Sequence, residues 1–356
     1  MLKLFNTLPS RARCAAPPPV SGPLGGFDKP EVPGISLVTA NKNRTENMLP
    51  ALVSWIARPE IDEIVIVDWD CDEPLSEVLA AKGISDPRLR VVRAVQAEVW
   101  HGPQAFNTAM RLARYDKIIR IDGDIVVKPD FFHRNRLPPN SFVAGNFAMV
   151  EKSQVHINGT VLMHRAALAR CGGQNEYTIG YGWEDDDLYN RFMRHRWRRI
   201  DLIPETVHHL PHDDSTRVAP PAADTTRALY MSWPRFTIRR NRFVIEQMPA
   251  WDADSPMQPF DHVVAPDGTE TLVRTGPSPS QVPAPIVDRM TNMALLFFLA
   301  RRKGRKVNDL DDIRLSRLLD LPERDISAQV IEDALAEQLA DGGPLLSGEI
   351  AQRIGG

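Results

Sequence analysis

Two carboxylates one residue apart, in Asp122-Gly123-Asp124, follow directly on the apolar run Lys117 to Ile121. At the end of a strand such a pair can hold a hard divalent cation through its oxygens. The glycine between them lets the backbone and a diphosphate approach closely. A second group, Val207-His208-His209-Leu210-Pro211-His212, sets His209 and His212 at ligand-like spacing. Imidazole suits Mn, Zn or Fe, and a mixed imidazole and carboxylate set with open positions suits a catalytic metal. His208 suits the role less, because neighbours in an extended segment point opposite ways. Taken alone, each group also reads as a polar surface turn; the place of Asp122 and Asp124 after a strand is what favours a metal.

The third and most specific group runs Gly180-Tyr181-Gly182-Trp183-Glu184-Asp185-Asp186-Asp187-Leu188-Tyr189-Asn190-Arg191-Phe192. Four acids open a helix here, where the positive end of the helix dipole tolerates them. Helix capping explains one or two acids well and four poorly. Tyr181 and Trp183 beside them offer flat faces that can stack on a sugar ring, whereas Leu188 and Phe192, four apart, read as core.

These groups need elements to hold them. Ile35 to Thr39 reads as a strand, followed by a turn through Asn41-Lys42-Asn43-Arg44 and a helix from Thr45, a plausible N-cap, to Ala57. Ile64 to Val67 is a second strand that ends at Asp68; Leu75 to Ala81 reads as helix, Leu89 to Val92 as strand, Gln104 to Arg114 as helix and Lys117 to Ile121 as strand. Further on, strands are expected at Phe142 to Ala144, Thr160 to Met163 and Arg199 to Ile203, with a helix from Glu184 to His195. Strands alternating with helices imply an α/β fold with a mostly parallel sheet covered on both faces. In such sheets ligands bind beyond the carboxyl ends of the strands, where Asn41 to Arg44, Asp68 and Asp122 all fall.

The organisation expected is a flexible Pro-rich leader over 1–33, a main domain over 34–250, an irregular linker over 251–285 rich in Pro, Asp and Trp, and a helical region over 286–356. A formal net charge of -3 argues against a nucleic-acid binder. The three cysteines are widely spaced and odd in number, so they imply no disulfide framework and fit a reducing compartment. No apolar run is long enough to span a membrane and no secretory pattern opens the chain, which together point to the cytoplasm. Met293 to Ala300 leads into the basic run Arg301 to Lys306. Such a pair can rest a helix on an anionic membrane surface, here the inner face, though a core helix followed by a solvated basic turn is the commoner arrangement.

The acidic segment at Gly180 to Asp187 resembles the Gly-rich, Glu-Asp-Asp-Asp acceptor motif of the beta-1,4-galactosyltransferase family. Other segments agree in order: Asn43-Arg44 resembles its Arg-Asn-Arg nucleotide segment, Asp122-Gly123-Asp124 its Asp-x-Asp metal motif, and His209-Leu210-Pro211-His212 its Met-x-x-His pair. The first half, with Asp68 and Asn107, also resembles the broad family 2 glycosyltransferases. The likeness covers roughly 34–214. It implies a GT-A type nucleotide-sugar-binding fold, with a Rossmann-like sheet, flanking helices and a small helical appendage at the C-terminus. It implies a metal-dependent inverting transfer of a galactose or N-acetylhexosamine type sugar from a UDP-sugar, with Mn2+ or another divalent cation, to a hydroxyl of a glycan or lipid-linked acceptor.

By that resemblance Asp124, His209 and His212 would hold the metal, and Asp122 would face the ribose or bridge the metal. Thr39, Asn41, Asn43, Arg44, Asp68 and Asn107 would hold the nucleotide. Asp185 would be the base, with Tyr181, Trp183, Glu184 and Asp186 on the acceptor. Gly159 would lie under the donor sugar and His156 would line its pocket. Trp183 stands where the family has its second glycine, and His209 where it has methionine. The animal members' membrane anchor and disulfides are missing, as in a bacterial cytoplasmic relative. A nucleotidyltransferase acting on sugar phosphates would share the nucleotide segment and the acidic metal site, but not the aromatic and acidic acceptor segment. A non-catalytic sugar-binding module would need neither a nucleotide segment nor a metal set.

Overall fold

The computed structural model describes residues 15–97, 100–178, 182–211 and 234–286. Tyr181, His212 and the stretch 287–356, with the membrane-contact segment expected at 293–306, lie outside the described residues. Among the described residues no helix is long and apolar enough to cross a membrane. The chain divides into two compact units. The first comprises Met1–Glu176, Asp185–Asp213 and Trp251–Pro279; the second comprises Tyr177–Glu184, Asp214–Ala250 and Ser280–Gly356.

The first unit is built on strands β1 (Gly22–Pro23), β2 (Ile35–Asn41), β3 (Glu63–Asp68), β4 (Leu89–Val95), β5 (Lys117–Arg120), β6 (Ile125–Val127), β7 (Ser141–Ala144), β8 (Val161–His164), β9 (Arg198–Asp201), β10 (Val207–His209), β11 (Phe260–Val264) and β12 (Glu270–Arg274). The helices, in chain order, are α1 (Thr45–Ile56), α2 (Leu75–Ala81), α3 (Gly102–Leu112), α4 (Phe131–Arg134), α5 (Arg165–Cys171), α6 (Glu184–Arg194) and α7 (Pro234–Gln247). Ten of the strands form one sheet in the order β1-β11-β12-β4-β3-β2-β5-β8-β7-β9, and β6 pairs with β10. The run from β12 through β4, β3 and β2 to β5 is parallel, while β8 is antiparallel to both β5 and β7.

The apolar run Ile64 to Val67 in β3 is continuous because both faces of the sheet are covered. Alternate residues go to opposite sides. Val38, Val65 and Val67 join the core under α3, with Ala105, Ala109 and Met110. Leu37, Ile64 and Ile66 join the core under α1, with Met48, Leu52 and Trp55. Trp55 is fully buried and its indole Nε1 donates to the carbonyl of Ile125 at 2.9 Å. That bond ties the core directly to the backbone following Asp124.

The chain leaves β2 toward β3 and β4 on one side and then places β5 on the other side of β2. The crevice at such a reversal, beyond the carboxyl ends of the strands, is where α/β sheets bind ligands. Asn41 ends β2 with Lys42 to Arg44 after it, and Asp122 to Asp124 follows β5, so the two segments flank it.

Two expectations are corrected. Residues 251–285 are not an irregular linker throughout. Phe260–Val264 and Glu270–Arg274 form a hairpin that extends the main sheet beside β4, with Phe260 and Leu272 buried. The turn is closed by Gly268, whose φ of 87° suits glycine, donating to the carbonyl of Ala265 at 2.9 Å. Asp267-Gly268 between two β-rich stretches is the sequence signal of that hairpin. Nor is the leader loose from Gly22 onward. β1 pairs antiparallel with β11, Phe27 is buried in the core, and Arg111 of α3 clasps the carbonyls of Leu24 and Gly25. Pro23 fits there because this strand is at the sheet edge.

In the second unit, α7 carries Asn241, whose Nδ2 donates to the carbonyl of Gly182 at 2.7 Å.

Candidate active site

The loop after β5 and the start of α6 bring acids from two distant parts of the chain onto one cation. Arg120, the last residue of β5, is almost fully buried. Its Nη2 lies 3.3 Å from Asp122 Oδ1 and its Nη1 lies 3.2 Å from Asp185 Oδ1. Nη1 also donates to the carbonyl of Gly159, and the guanidinium carbon sits 3.7 Å from the ring centroid of Phe106. Gly159 is required by this crowding. A Cβ there would lie 2.3 Å from Arg120 Nη1 and 2.6 Å from Asp122 Oδ2. Gly159, Asp122 and Asp185 therefore come together, and Arg120, which the motif reading missed, is what joins them. A signal for it existed: an arginine closing the buried run Ile118-Ile119 must find anionic or carbonyl partners.

The acids here are hard to ionise together. Burial pushes the Asp185 carboxyl up to about 6, Arg120 opposing and Asp122 and Asp186 reinforcing. Burial also raises Asp122, with Asp124 adding to the shift against Arg120. Asp186 is raised by burial, against Arg199 and a hydrogen bond from Asn158. Asp185 accepts a further bond from Gln174 Nε2 at 3.0 Å.

On the other side of the loop, Asp124 Oδ2 meets Arg44 Nη2 at 3.0 Å and His209 Nε2 at 3.8 Å. His209 lies opposite Ile125 in the β6–β10 pair, and Leu210 donates its N–H to the carbonyl of Asp124 at 2.8 Å. The ring is oriented from behind: Nδ1 lies 3.2 Å from the carbonyl of Ser153. A carbonyl only accepts, so Nδ1 donates to Ser153 and Nε2 is the nitrogen turned to Asp124. A carboxylate oxygen and an imidazole nitrogen converging in this way fit a divalent cation of the Mn or Zn kind. Among the described residues no group of three His, Cys, Asp or Glu forms a complete cage; His212 is not among them. The His156 ring centroid is 4.8 Å from that of His209, so His156 lines the same corner.

The turn after β2 is a packed unit. Asn43 has φ 53°, accepts from Asp72 N at 2.8 Å and donates its own N–H to Cys71 Sγ at 3.2 Å. Asn41 Nδ2 donates to Thr45 Oγ1 at 3.0 Å, and the N-cap of α1 is Arg44 rather than Thr45. Asp68 accepts from Cys71 N and from Leu75 N, at the start of α2, and pairs with Arg93 at 2.9 Å. Thr39 is buried at the centre of β2. Asn107, expected on the nucleotide, hydrogen-bonds the 174–176 loop. Its Oδ1 accepts from Gln174 N, and its Nδ2 donates to Gln174 O and to Glu176 Oε1, so it shapes the 174–176 loop.

Gly182, Trp183 and Glu184 belong to the second unit. There Gly182 has φ 96° and a Cβ on it would lie 2.4 Å from Ile238 Cγ1. Trp183 is half-buried at φ 75°, with the Arg242 guanidinium 5.3 Å from its ring centroid. Glu184 is half-buried at the first turn of α6.

Two family models match consecutive stretches of the chain: glycosyl transferase family 2 over residues 36–135, and the N-terminal domain of galactosyltransferase over residues 141–213. No curated protein matched by sequence. Among solved structures, the catalytic domain of Drosophila beta1,4galactosyltransferase 7, in complex with xylobiose, is 14% identical with a TM-score of 0.43, covering 70% of this chain and 98% of that one. S. aureus TarS 1-349 is 14% identical with a TM-score of 0.37, covering 48% of this chain and 58% of that one. The first family match contains β2 to β5 with Arg44, Arg120, Asp122 and Asp124; the second contains Gly159, Asp185 and His209. The chain is a glycosyltransferase with a GT-A type fold, similar to family 2 over residues 36–135 and to the galactosyltransferase domain over residues 141–213.

Proposed function

We propose that this enzyme transfers a sugar of the galactose or N-acetylhexosamine type from a UDP-sugar to a hydroxyl of a glycan or lipid-linked acceptor, with inversion at the anomeric carbon. The observation that carries the reading is Asp185: an acid at a helix start, 16% exposed at its side chain, joined through Arg120 to Asp122. A carboxyl held up at about 6 is still largely ionised near neutral pH and is a better proton acceptor than an ordinary aspartate. In this role Asp185 takes the proton of the acceptor hydroxyl as the oxygen attacks the anomeric carbon. One base and one direct displacement from the face opposite the leaving group invert the centre, by the geometry that also governs inverting glycosidases.

Asp124 and His209, with His212, would hold a divalent cation, which when bound supplies Lewis-acid relief of the charge on the departing diphosphate. Thr39, Asn41, Asn43, Arg44 and Asp68 would shape the nucleotide pocket, and Asp122 would face the ribose. Gly159 and His156 would border the donor sugar. Tyr181, Trp183, Glu184 and Asp186 would receive the acceptor.

The test is UDP release from a panel of UDP-sugars against a panel of saccharide and lipid-linked acceptors, with and without manganese. Chelator should abolish release and manganese should restore it better than magnesium or calcium, because the donor set contains imidazole. Full activity after chelation would remove the metal assignment. A nucleotidyltransferase would release no UDP in this assay and would instead release diphosphate when given UTP and a sugar 1-phosphate.

A further inference from the structure

Among the described residues, the partners of the Asp185 carboxyl meet it at Oδ1. Arg120 Nη1 and Gln174 Nε2 both address Oδ1, at 3.2 and 3.0 Å. Each arm is itself held by further contacts. The Arg120 guanidinium sits over the ring of Phe106, meets Asp122 through Nη2, and donates to the carbonyl of Gly159. The backbone of Gln174 is bound in both directions by Asn107, 2.7 Å to its N–H and 2.8 Å to its carbonyl. Phe106 and Asn107 are successive residues of α3, so one turn of one helix seats both arms.

We infer that Arg120 and Gln174 form a two-armed clamp that positions Asp185, fixing Oδ1 and presenting Oδ2 toward the acceptor hydroxyl, with Phe106 and Asn107 as its footings. The inference rests on Asp185 being the base and adds what sets its orientation. A carboxylate on a helix start can rotate about its χ2 torsion, and general base catalysis requires one oxygen within hydrogen-bond reach of the proton. Engaging Oδ1 from two directions removes that freedom before the acceptor arrives, so the base needs no reorganisation. The same guanidinium reaches Asp122, so the base is registered against the loop that carries Asp124. Arg120 and Gln174 are positioning residues in this scheme and transfer no proton.

The carboxyl of Asp185 reads the clamp without any substrate. Among the described residues, the charged and titratable groups that act on it include Arg120 and Asp122 from β5 and its loop, and Asp186 and Tyr189 from α6. Of these only Arg120 favours the ionised form, and Gln174 adds a bond that does so too. The protein is labelled with 13C at aspartate carboxyls and titrated by NMR, the Asp185 signal being assigned by its loss in Asp185→Asn. Arg120→Met should move the Asp185 midpoint upward by about 1 pH unit or more, the usual effect of losing a close opposite charge. Gln174→Leu should move it upward by less. UDP binding with manganese, followed by calorimetry, should survive in Gln174→Leu, showing the fold intact. Should Arg120→Met not fold, Arg120→Lys serves: a single ammonium cannot span Asp122, Asp185 and Gly159 together, and the midpoint should again rise.

An Asp185 midpoint unmoved in Gln174→Leu and in whichever Arg120 variant folds would overturn the clamp. The underlying reading fails separately. If the midpoints move but Asp185→Asn still transfers sugar normally, the clamp exists and Asp185 is not the base. If Asp185→Asn is inactive and the midpoints stay, the base stands and the clamp is wrong.

Discussion

At the amino ends of the parallel strands, Glu63 is completely buried and surrounded by donors: Ser36 Oγ at 2.7 Å, Arg90 Nη1 at 2.5 Å and Arg114 Nε at 2.6 Å. Arg90 continues to Glu270 with two bonds, at 2.8 and 2.6 Å, and Glu270 meets His262 Nε2 at 2.8 Å. At the carboxyl ends of the same strands, Arg120 faces Asp122 and Asp185, with Asp186 beside them. Both clusters are ionic, the first buried and the second half-buried around a buried Arg120, yet their acids move in opposite directions. Burial alone would raise Glu63, but Arg90 and Arg114 overcome it and the net shift is downward. Burial would likewise raise Glu270, but Arg90 and His262 bring it down to about 2. In the acid-rich cluster burial wins, and Asp185 rises to about 6. A cluster with enough cations braces strands together. A cluster short of them keeps its carboxyls out of their preferred state, which is where a base or a metal ligand is made.

This contrast can be broken by substitution, starting with the acid expected to matter most to turnover. Asp185→Asn keeps shape but cannot take a proton, so transfer should fall by roughly a hundredfold to ten-thousandfold. UDP binding should be retained, since Arg44, Asp68 and Asp124 are untouched. At neutral pH the variant should be at least as stable as the parent, because it removes a carboxyl that the fold prefers neutral. Calorimetric UDP binding, UDP release and urea unfolding on one preparation check all three. Near-normal transfer would shift the role to Glu184 or Asp186.

Glu63→Gln should do the reverse. It leaves Arg114 without its carboxylate and Arg90 with Glu270 alone, and breaking such a buried network costs about 3–5 kcal/mol. The urea midpoint should fall sharply, while the folded fraction should still bind UDP. A midpoint change no larger than that of an exposed acid would show that the amino-end cluster is not a brace.

The smallest effect lies in the pH dependence of stability, and its sign differs between the two ends. Glu270 has a folded value of about 2 against an ordinary 4.5, so its contribution is present above 4.5 and is lost as pH falls from 4.5 toward 2. Asp185 has a folded value of about 6 against an ordinary 3.8, so it costs stability as pH rises from 3.8 to about 6. Each should amount to about 1–3 kcal/mol at most, since a tenfold change in proton affinity is worth about 1.4 kcal/mol and neighbouring charges share the effect. Unfolding curves of the parent, Glu270→Gln and Asp185→Asn between about pH 3 and 7 should show opposite slopes when subtracted. Parallel curves would erase the distinction between the clusters.

Much of the central sheet was legible because its signal is local. Ile64 to Val67 and Ile118-Ile119 are apolar runs that lead into acids, and the helical pattern of Leu75 to Ala81 coincides with α2 to the residue. The amphipathic face of α3 was legible from Phe106, Ala109 and Met110. The hairpin at β11 and β12 was not, because its strands are five residues each and set among prolines, and its place beside β4 depends on a partner about 180 residues away. The docking of Gly22 to Phe27 onto that hairpin escaped for the same reason.

Sequence alone determined which residue types were present for chemistry: the paired acids after a strand, the histidines at ligand spacing, and the acids opening a helix beside Trp183. Those are short-range facts of composition and order. Only the tertiary structure decided that Asp122 and Asp185, 63 positions apart in the chain, share one guanidinium, that Nε2 of His209 turns to Asp124, and that Asn107 faces the 174–176 loop. The physical reason is that a charge is tuned by whatever lies within a few ångströms of it. In this fold those neighbours come from β5, α3, α6 and the loops at the sheet's carboxyl edge, which meet only when the core beneath them has packed.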